Sequence, residues 1–209
     1  AENSGTGYST IYAKNAATSG VSAIFVEVSN GYPAIYGKNN RTSGDRSGGY
    51  FEAGDSYAWI GCNFSNTSYK ITGTGSVSTI VDTPDGVKVH MFCPESPEIL
   101  LTDYGEAVLV NGRCQITLDP LFSHNILVDE EHRLRVFIQP EGNCNGVYVA
   151  NKSSEGFEVI ELQDGQSDIP FSWYVVANRA DERDPAGNLV SKNTGVRFPE
   201  APVSRNTGR

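Results

Sequence analysis

Short runs of apolar and aromatic residues recur in the first third of the chain, separated by Gly, Ser, Thr and Asn. Each run has the length of one short β-strand, and each spacer has turn chemistry. The pattern therefore predicts a repetitive stack of strands and turns, a stalk, over residues 1–68. The runs occupy residues 10–15, 23–27, 34–39, 49–53 and 57–61.

One short strand per rung of this stalk buries too little apolar area to offset its ordering entropy, and its edges stay unpaired. Partners come either from neighbouring rungs of the same chain, as in a β-helix, or from the same rungs of other chains wound around one axis. With so few rungs we expect the second arrangement, a β-prism-like stalk intertwined between chains, with a trimer preferred over a dimer. The expected assembly interface consists of the rung residues Ile11, Tyr12, Ile24, Phe25, Ile35, Tyr36, Tyr50, Phe51, Trp59 and Ile60.

Longer strands and clearer turns follow in residues 69–182. Two turn motifs, Thr83-Pro84-Asp85-Gly86 and Asn111-Gly112, lie between apolar runs, and each predicts a β-hairpin. Short strands at regular spacing favour a β-sandwich or barrel-like domain, so the predicted fold class is all-β. The predicted strands are residues 77–81, 87–92, 99–102, 106–110, 113–118, 134–139, 146–150, 156–162 and 170–178.

The remainder, residues 183–209, has no core pattern and predicts an extended tail. It is either loose or lies on a neighbouring subunit. Residues 189–191 and 195–198 are short apolar stretches that could add a strand to another subunit's open sheet edge.

Composition supports turn-rich β structure, with 22 Gly, 10 Tyr and a single Met. The formal net charge of -9 repels phosphate backbones, so we expect no nucleic-acid partner. No run of about 18 apolar residues occurs, and we expect no membrane span.

The four cysteines, Cys62, Cys93, Cys114 and Cys144, form no Cys-x-x-Cys pair and have no histidine at ligand spacing. A zinc site is therefore not expected. Cys144 lies in a polar turn, where a free thiol would be exposed to oxidation, so disulfides in an oxidising compartment are the better expectation. Three pairings are open.

Catalytic chemistry has weak signals. The histidines, His90, His124 and His132, lie beside no nucleophile motif, and no Gly-x-Ser-x-Gly sequence occurs. We expect no enzyme activity and no cofactor. The loops at residues 82–85 and 181–184 carry oxygen ligands and are candidates for structural calcium, although neither has the pattern of a dedicated calcium loop.

Aromatic density gives one indication of ligand binding. Exposed rings beside Asn and Asp form sugar-binding platforms, but at rung positions we expect rings to fill the space between strands or chains. The residues concerned are Tyr50, Phe51, Tyr57, Trp59, Phe64 and Tyr69.

Several motifs, such as Asp103-Tyr104-Gly105-Glu106-Ala107 and Gly146-Val147-Tyr148-Val149-Ala150, resemble the carboxy-terminal region of large, repeat-containing bacterial surface or secreted proteins. The upstream Ala34-Ile35-Tyr36-Gly37 is similar to their repeats and to the β shafts of phage tail fibres. The resemblance implies a fibre-like, non-enzymatic, extracellular component. It also rests on residues 109–113, 116–122, 136–142, 151–152, 156–159 and 177–179.

The expected function is therefore that of an extracellular structural subunit of a self-assembling fibre, filament or surface appendage. Its partners would be copies of itself. The alternative is a phage-type tail fibre or cell-surface adhesin that binds carbohydrate or a receptor. The corresponding locations are the cell exterior, the cell surface or a virion appendage.

Overall fold

The computed structural model describes residues 35–201 of the chain. The chain divides at residue 40 into two units, and every described strand lies in the second. The predicted runs at residues 10–15 and 23–27, with Ile11, Tyr12, Ile24 and Phe25, lie outside the described residues.

The described residues form antiparallel β structure with little helix, so the predicted all-β class is confirmed. None of the sheets within residues 35–201 closes into a barrel. The strands are β1 (Arg46–Ala53), β2 (Ser56–Phe64), β3 (Thr67–Gly73), β4 (Ser78–Asp82), β5 (Lys88–Phe92), β6 (Leu100–Val108), β7 (Arg113–Thr117), β8 (Ile126–Leu127), β9 (Arg135–Pro140), β10 (Val147–Ala150), β11 (Gly156–Glu161), β12 (Pro170–Arg179), β13 (Glu182–Arg183) and β14 (Leu189–Ser191). A short helix, α1 (Pro120–His124), and a 3-10 turn at Leu162–Asp164 complete the order.

Strands β1, β2 and β3 form an antiparallel meander. The runs at residues 49–53 and 57–61 therefore belong to adjacent strands of one hairpin, in which Ala53 faces Ser56 across a turn with Gly54 at φ +60°. One face of the meander buries a cluster around Trp59, whose ring lies 4.4 Å from the ring of Tyr50. The predicted domain boundary at residue 68 falls inside β3.

The main core lies between two open sheets. In the first sheet, β12 is central, with β6 on one side and with β9 and β8 on the other; in the second, β11 lies between β10 and β7. Alternate residues of both sheets point into one shared apolar cluster, as period-two side-chain alternation requires. Its buried members are Leu109, Ile116, Leu118, Ile126, Leu134, Phe157, Val159, Phe171, Val175 and Ala177.

The Asn111-Gly112 motif forms the predicted tight turn, but the predicted hairpin is wrong beyond its first pair. Val110 and Arg113 exchange backbone hydrogen bonds of 2.8 and 3.2 Å, and then β6 pairs with β12 while β7 pairs with β11. The strands separate because each backbone continues in a different sheet: Leu109 donates to Ile169, on the β12 side. The turn is thus a corner between sheets. Strand β6 is also one continuous strand, where the sequence predicted two.

The described part of the tail, residues 183–201, folds back on its own chain, whereas the sequence predicts a segment that is loose or lies on a neighbouring subunit. Strand β14 pairs with β13, and the next residue, Lys192, exchanges hydrogen bonds with the β2–β3 turn. Further along, Phe198 donates its backbone N–H to the carbonyl of Pro97 at 3.0 Å. The tail therefore joins the meander to the segment before β6.

The carboxylate of Glu98 fixes the distal part of this tail. It accepts hydrogen bonds from the Asn178 amide and from the Arg197 guanidinium, with Arg135 nearby at 3.6 Å. These hydrogen bonds lower the pKa of Glu98 below its ordinary value, and the positive charges of Arg135 and Arg197 act in the same direction. Burial raises the pKa but does not outweigh them.

A folded-state pKa below the ordinary value means that Glu98 stabilises the tail contact above its ordinary pKa, and that this contribution is lost as the pH falls through the folded pKa. We therefore expect the protection factor of the Phe198 amide, measured by NMR hydrogen exchange and corrected for intrinsic exchange, to fall on acidification. In Glu98→Gln the protection should be low already at neutral pH and nearly independent of pH. Glu95→Gln, outside the network, is the control; an unchanged pH profile in Glu98→Gln contradicts the assignment.

Candidate functional site

The hairpin β4–β5 has one face made of apolar and hydroxyl side chains. It forms as its sequence predicts: Thr83 Oγ1 accepts from the Val87 N–H at 3.0 Å and closes the turn, and Val81 faces Val89 across the ladder. Among the described residues, each of the two strands pairs only with the other. We call Val77, Thr79, Val81, Val87, Val89, Met91 and Cys93 the hairpin patch; alternation places them on one face.

The hairpin patch is open to solvent. Met91 is 59% exposed and Val77 is 52% exposed, and Cys93 is exposed at the end of the patch. No charged side chain belongs to this face. The opposite face of the same hairpin is mixed: Lys88 pairs with Asp82 at 2.7 Å. A two-stranded hairpin with apolar residues facing water is marginally stable alone, so this face is suited to contact with another apolar surface.

The meander has a second exposed apolar face. Phe51, Ile60 and Ile71 lie on the side opposite the buried Trp59 cluster, with Ile60 and Ile71 directly opposed across β2 and β3. Two of these residues, Phe51 and Ile60, belong to the predicted assembly interface.

The other predicted interface residues are distributed differently. Ile35 and Tyr36 are exposed, in a segment without regular structure. Trp59 is buried and Tyr50 packs against it, so these two rings fill the core of the meander. The structure thus does not bring the predicted set together in one surface within residues 35–201.

An aromatic row crosses the solvent face of the first sheet. Tyr174 of β12 is directly opposite Tyr104 of β6 on one side and Phe137 of β9 on the other. The three side chains are 42%, 79% and 58% exposed, respectively. A row of polar residues lies beside the aromatic row. In it, Ser172 of β12 is directly opposite Glu106 of β6 and Gln139 of β9, two residues nearer the start of β12 than Tyr174.

A buried carboxylate, Glu161, occupies the end of β11. It accepts hydrogen bonds from the backbone N–H groups of Asn145 and Ser167, at 2.9 and 2.8 Å, and from the Ser167 hydroxyl at 2.8 Å. These donors hold its pKa below the ordinary value against the opposing effect of burial. Its acceptor capacity is used to tie two turns to the strand, which is a structural role.

The four cysteines all carry free thiols, so the structure contains none of the three possible disulfide pairings. Cys62 is buried in the meander, Cys93 belongs to the hairpin patch, Cys114 packs against the main core and Cys144 lies in a turn. They lie on four separate elements. Burial raises the pKa of the Cys62 and Cys114 thiols.

The candidate calcium loops use their carboxylates internally. Asp181 Oδ1 accepts from the N–H groups of Asn193 and Thr194, and Asp184 accepts from Ala186 and Asn188. Asp82, in the other loop, is the partner of Lys88. No group of three His, Cys, Asp or Glu residues able to hold a metal ion occurs in residues 35–201. Calcium at these loops stays a prediction.

The histidines have local partners. His90 lies 3.2 Å from the Ser78 hydroxyl, and its ring stacks on Phe92. His132 lies 2.9 Å from Asp129, and His124 ends α1. Among the described residues no carboxylate contacts the His90 ring to orient it, so the His90–Ser78 contact lacks the third member of a hydrolase triad.

The aromatic row was not predicted, because its members lie on three strands far apart in the sequence. A signal existed within each strand: Phe137 and Tyr174 occupy the phase opposite to Val136 and Val175, which point inward. Exposed aromatic residues mark an interaction surface when they adjoin one another in a contiguous patch, and that adjacency is not visible within any one strand.

Among the described residues, no helix is long and apolar enough to cross a membrane. Comparison of the chain with protein-family models, with curated proteins and with solved structures finds no match.

Proposed function

We propose that this chain is a structural subunit that associates with copies of itself through β structure, as a component of an extracellular fibre, filament or surface appendage. The observation that carries the proposal is the uncovered hairpin patch. The exposed face of Phe51, Ile60 and Ile71 supports it with a second apolar surface.

Burial of the hairpin patch is favourable for the reason that drives most association between proteins. Removing a Val or Met side chain from water contributes about 1.5–3 kcal/mol when it is fully buried. Val77, Val87, Val89 and Met91 are 52%, 56%, 39% and 59% exposed, so burial of the area that is still exposed would supply roughly half of such a contribution from each.

A second copy is the partner that fits this face best. Two faces that meet across a twofold axis must each complement themselves, and a face of apolar and hydroxyl groups does so without bringing like charges together. The chain is acidic overall, so contacts between copies are opposed by repulsion, and an uncharged patch adds no close pair of like charges to that cost.

The finer architecture remains part of this proposal. The amino-terminal repeats would continue the association as a β-helix or β-prism-like stalk intertwined between chains, with the sheets of residues 69–182 as a packing or terminal module. An adhesin or tail fibre is the alternative, and the aromatic row favours it.

The substitution Val89→Glu tests the proposal. It places a carboxylate in the middle of the hairpin patch, where pairing of two faces would bury two like charges, so we expect the contact through this face to be lost and the self-associated species to become smaller. Sedimentation velocity at micromolar concentration measures this. Ile80→Glu is the matched control, since Ile80 is exposed on the opposite face of the same hairpin, and it should leave the sedimentation coefficient unchanged.

Cys93 supplies an independent probe. In the self-associated wild type, mild oxidation should join two chains through their Cys93 thiols, and Cys93→Ser should abolish the covalent dimer on a non-reducing gel. A wild-type chain that sediments as a single folded species contradicts self-assembly. Equal loss of association in Val89→Glu and Ile80→Glu contradicts the assignment to this face.

A further inference from the structure

The geometry points to a second functional surface: we propose that the aromatic row of Tyr104, Tyr174 and Phe137 binds a neutral carbohydrate chain. The row lies on a different sheet from the hairpin patch, so this inference does not depend on self-assembly.

The three rings form a strip rather than isolated exposed residues. Strict register across β6, β12 and β9 places them side by side, and neighbouring strands lie about 4.8 Å apart, so the strip is about 10 Å long. The rings of Phe137 and Tyr174 have centroids 6.2 Å apart and an interplanar angle of 40°. Their faces are thus available to a ligand that is long and narrow.

The support beneath the strip is rigid. Val175 and Val136, the neighbours of Tyr174 and Phe137 in sequence, point into the main core, and Val175 is fully buried. Strand β12 is hydrogen-bonded on both sides over its whole central part. A surface held in this way needs little ordering on binding, which reduces the entropy cost.

Hydrogen-bonding groups border the strip on both sides. Glu106, Ser172 and Gln139 form a row on one side, and Thr102 and Arg135 lie on the other, with Val176 between them. The Ser172 hydroxyl donates to Glu141 and the Gln139 amide donates to the Pro140 carbonyl, so Ser172 and Gln139 offer mainly acceptor oxygens. Among the described residues neither tyrosine hydroxyl of the strip has a hydrogen-bond partner. The surface thus offers ring faces in the centre, with both donors and acceptors around them.

This combination matches the chemistry of a pyranose. Its C–H face packs on an aromatic ring, and its equatorial hydroxyls extend sideways, where they need donors and acceptors. Nucleobases also stack on rings, but their phosphates are disfavoured by Glu106 and by the net charge of -9. The same negative charge disfavours uronic and sialic acids, and the charge of Arg135 beside the strip is offset by the Glu98 carboxylate at 3.6 Å, so the expected ligand is a neutral oligosaccharide or polysaccharide.

Affinity electrophoresis of the full chain tests the inference. The gels contain soluble neutral polysaccharides, namely mixed-linkage β-glucan, xyloglucan, galactomannan, arabinoxylan, dextran and yeast mannan, or the acidic alginate and polygalacturonate. We expect at least one neutral polymer to retard the wild type and the acidic polymers not to. Tyr174→Ala should weaken that binding about tenfold or more, since it removes the central ring. Tyr174→Phe, which keeps the ring, should retain most of it.

Tyr148→Ala is the matched control, because it makes the same chemical change as Tyr174→Ala on β10 of the second sheet. Tyr148 is 47% exposed, which is close to the exposure of Tyr174. It should bind as the wild type does. Val89→Glu should also be retarded as the wild type is, which separates this inference from self-assembly. Failure of all six neutral polymers to retard the wild type overturns the proposal, as does equal weakening by Tyr148→Ala. A change in sedimentation in Tyr174→Ala without sugar overturns it in favour of an interface between copies.

Discussion

Replacement of Phe157 by alanine is expected to lower the free energy of unfolding by about 3–5 kcal/mol, the usual cost of removing a fully buried aromatic ring. Phe157 of β11 is completely buried between the two main sheets, and its ring contacts Trp173 of β12 edge-on at 5.8 Å. The substitution removes the ring that joins the sheets and leaves a cavity. Equilibrium denaturation in urea measures the loss.

Phe137→Ala is the control for this prediction, since Phe137 carries the same side chain on the solvent face of β9, where it is 58% exposed. It should change the free energy of unfolding by no more than about 0.5 kcal/mol. A similar cost for the two substitutions would show that the sheets do not share one core. Because a domain is stable by only about 5–15 kcal/mol, Phe157→Ala should leave the chain marginally folded.

The second large effect is expected at the corner between the sheets. Gly112 has φ +74°, and a Cβ atom built there would lie 1.9 Å from the carbonyl oxygen of Gly165. Gly112→Ala therefore combines backbone strain with a clash against main chain that cannot rotate away. We expect a loss of more than about 2 kcal/mol in the free energy of unfolding.

Gly187→Ala separates the two causes. Gly187 has φ +86°, but a Cβ atom there would meet nothing within 4 Å, so only the cost of the left-handed conformation, about 1 kcal/mol, should remain. The difference in the free energy of unfolding between Gly112→Ala and Gly187→Ala, measured by thermal or urea unfolding, gives the cost of the clash at the corner. Equal costs would mean that the corner opens without penalty and that Gly165 does not pack against it.

Local turn chemistry could be predicted from the sequence, whereas strand partners could not. The hairpin β4–β5 was predicted correctly because Thr83-Pro84-Asp85-Gly86 closes on itself through bonds within the turn. Asn111-Gly112 also turns as predicted, but its flanking strands find partners in β11 and β12, tens of residues later. Pairing at that distance is decided by core packing, which a local pattern does not encode.

The repetitive pattern before residue 68 was ambiguous for a related reason. A short apolar strand looks the same in sequence whether its neighbour is the next strand of the same chain or a strand of another copy. In the described part, β1 and β2 are neighbours within one chain, and the buried cluster around Trp59 stabilises that arrangement. The helix α1 was missed because its five residues are too few to show a periodic pattern.

The hairpin patch and the aromatic row also differ in how far the sequence alone predicts them. The hairpin patch can be predicted from a single stretch, since Val87, Val89 and Met91 alternate with the polar residues Lys88 and His90. The aromatic row combines residues from β6, β9 and β12. No single strand or hairpin contains two of them, so a local pattern cannot reveal the row. Only the register of three strands brings these rings together.

The folded-back tail also returns to the place where the polypeptide of the second unit enters its first strand. Asp45, just before β1, accepts the Ser65 N–H at 3.1 Å, and Lys192 bonds to Asn66 and Thr67 of the same turn. The segment that leads into β1 and the segment that follows β14 are therefore both anchored at the β2–β3 turn. A change that disorders this turn would free both segments at once.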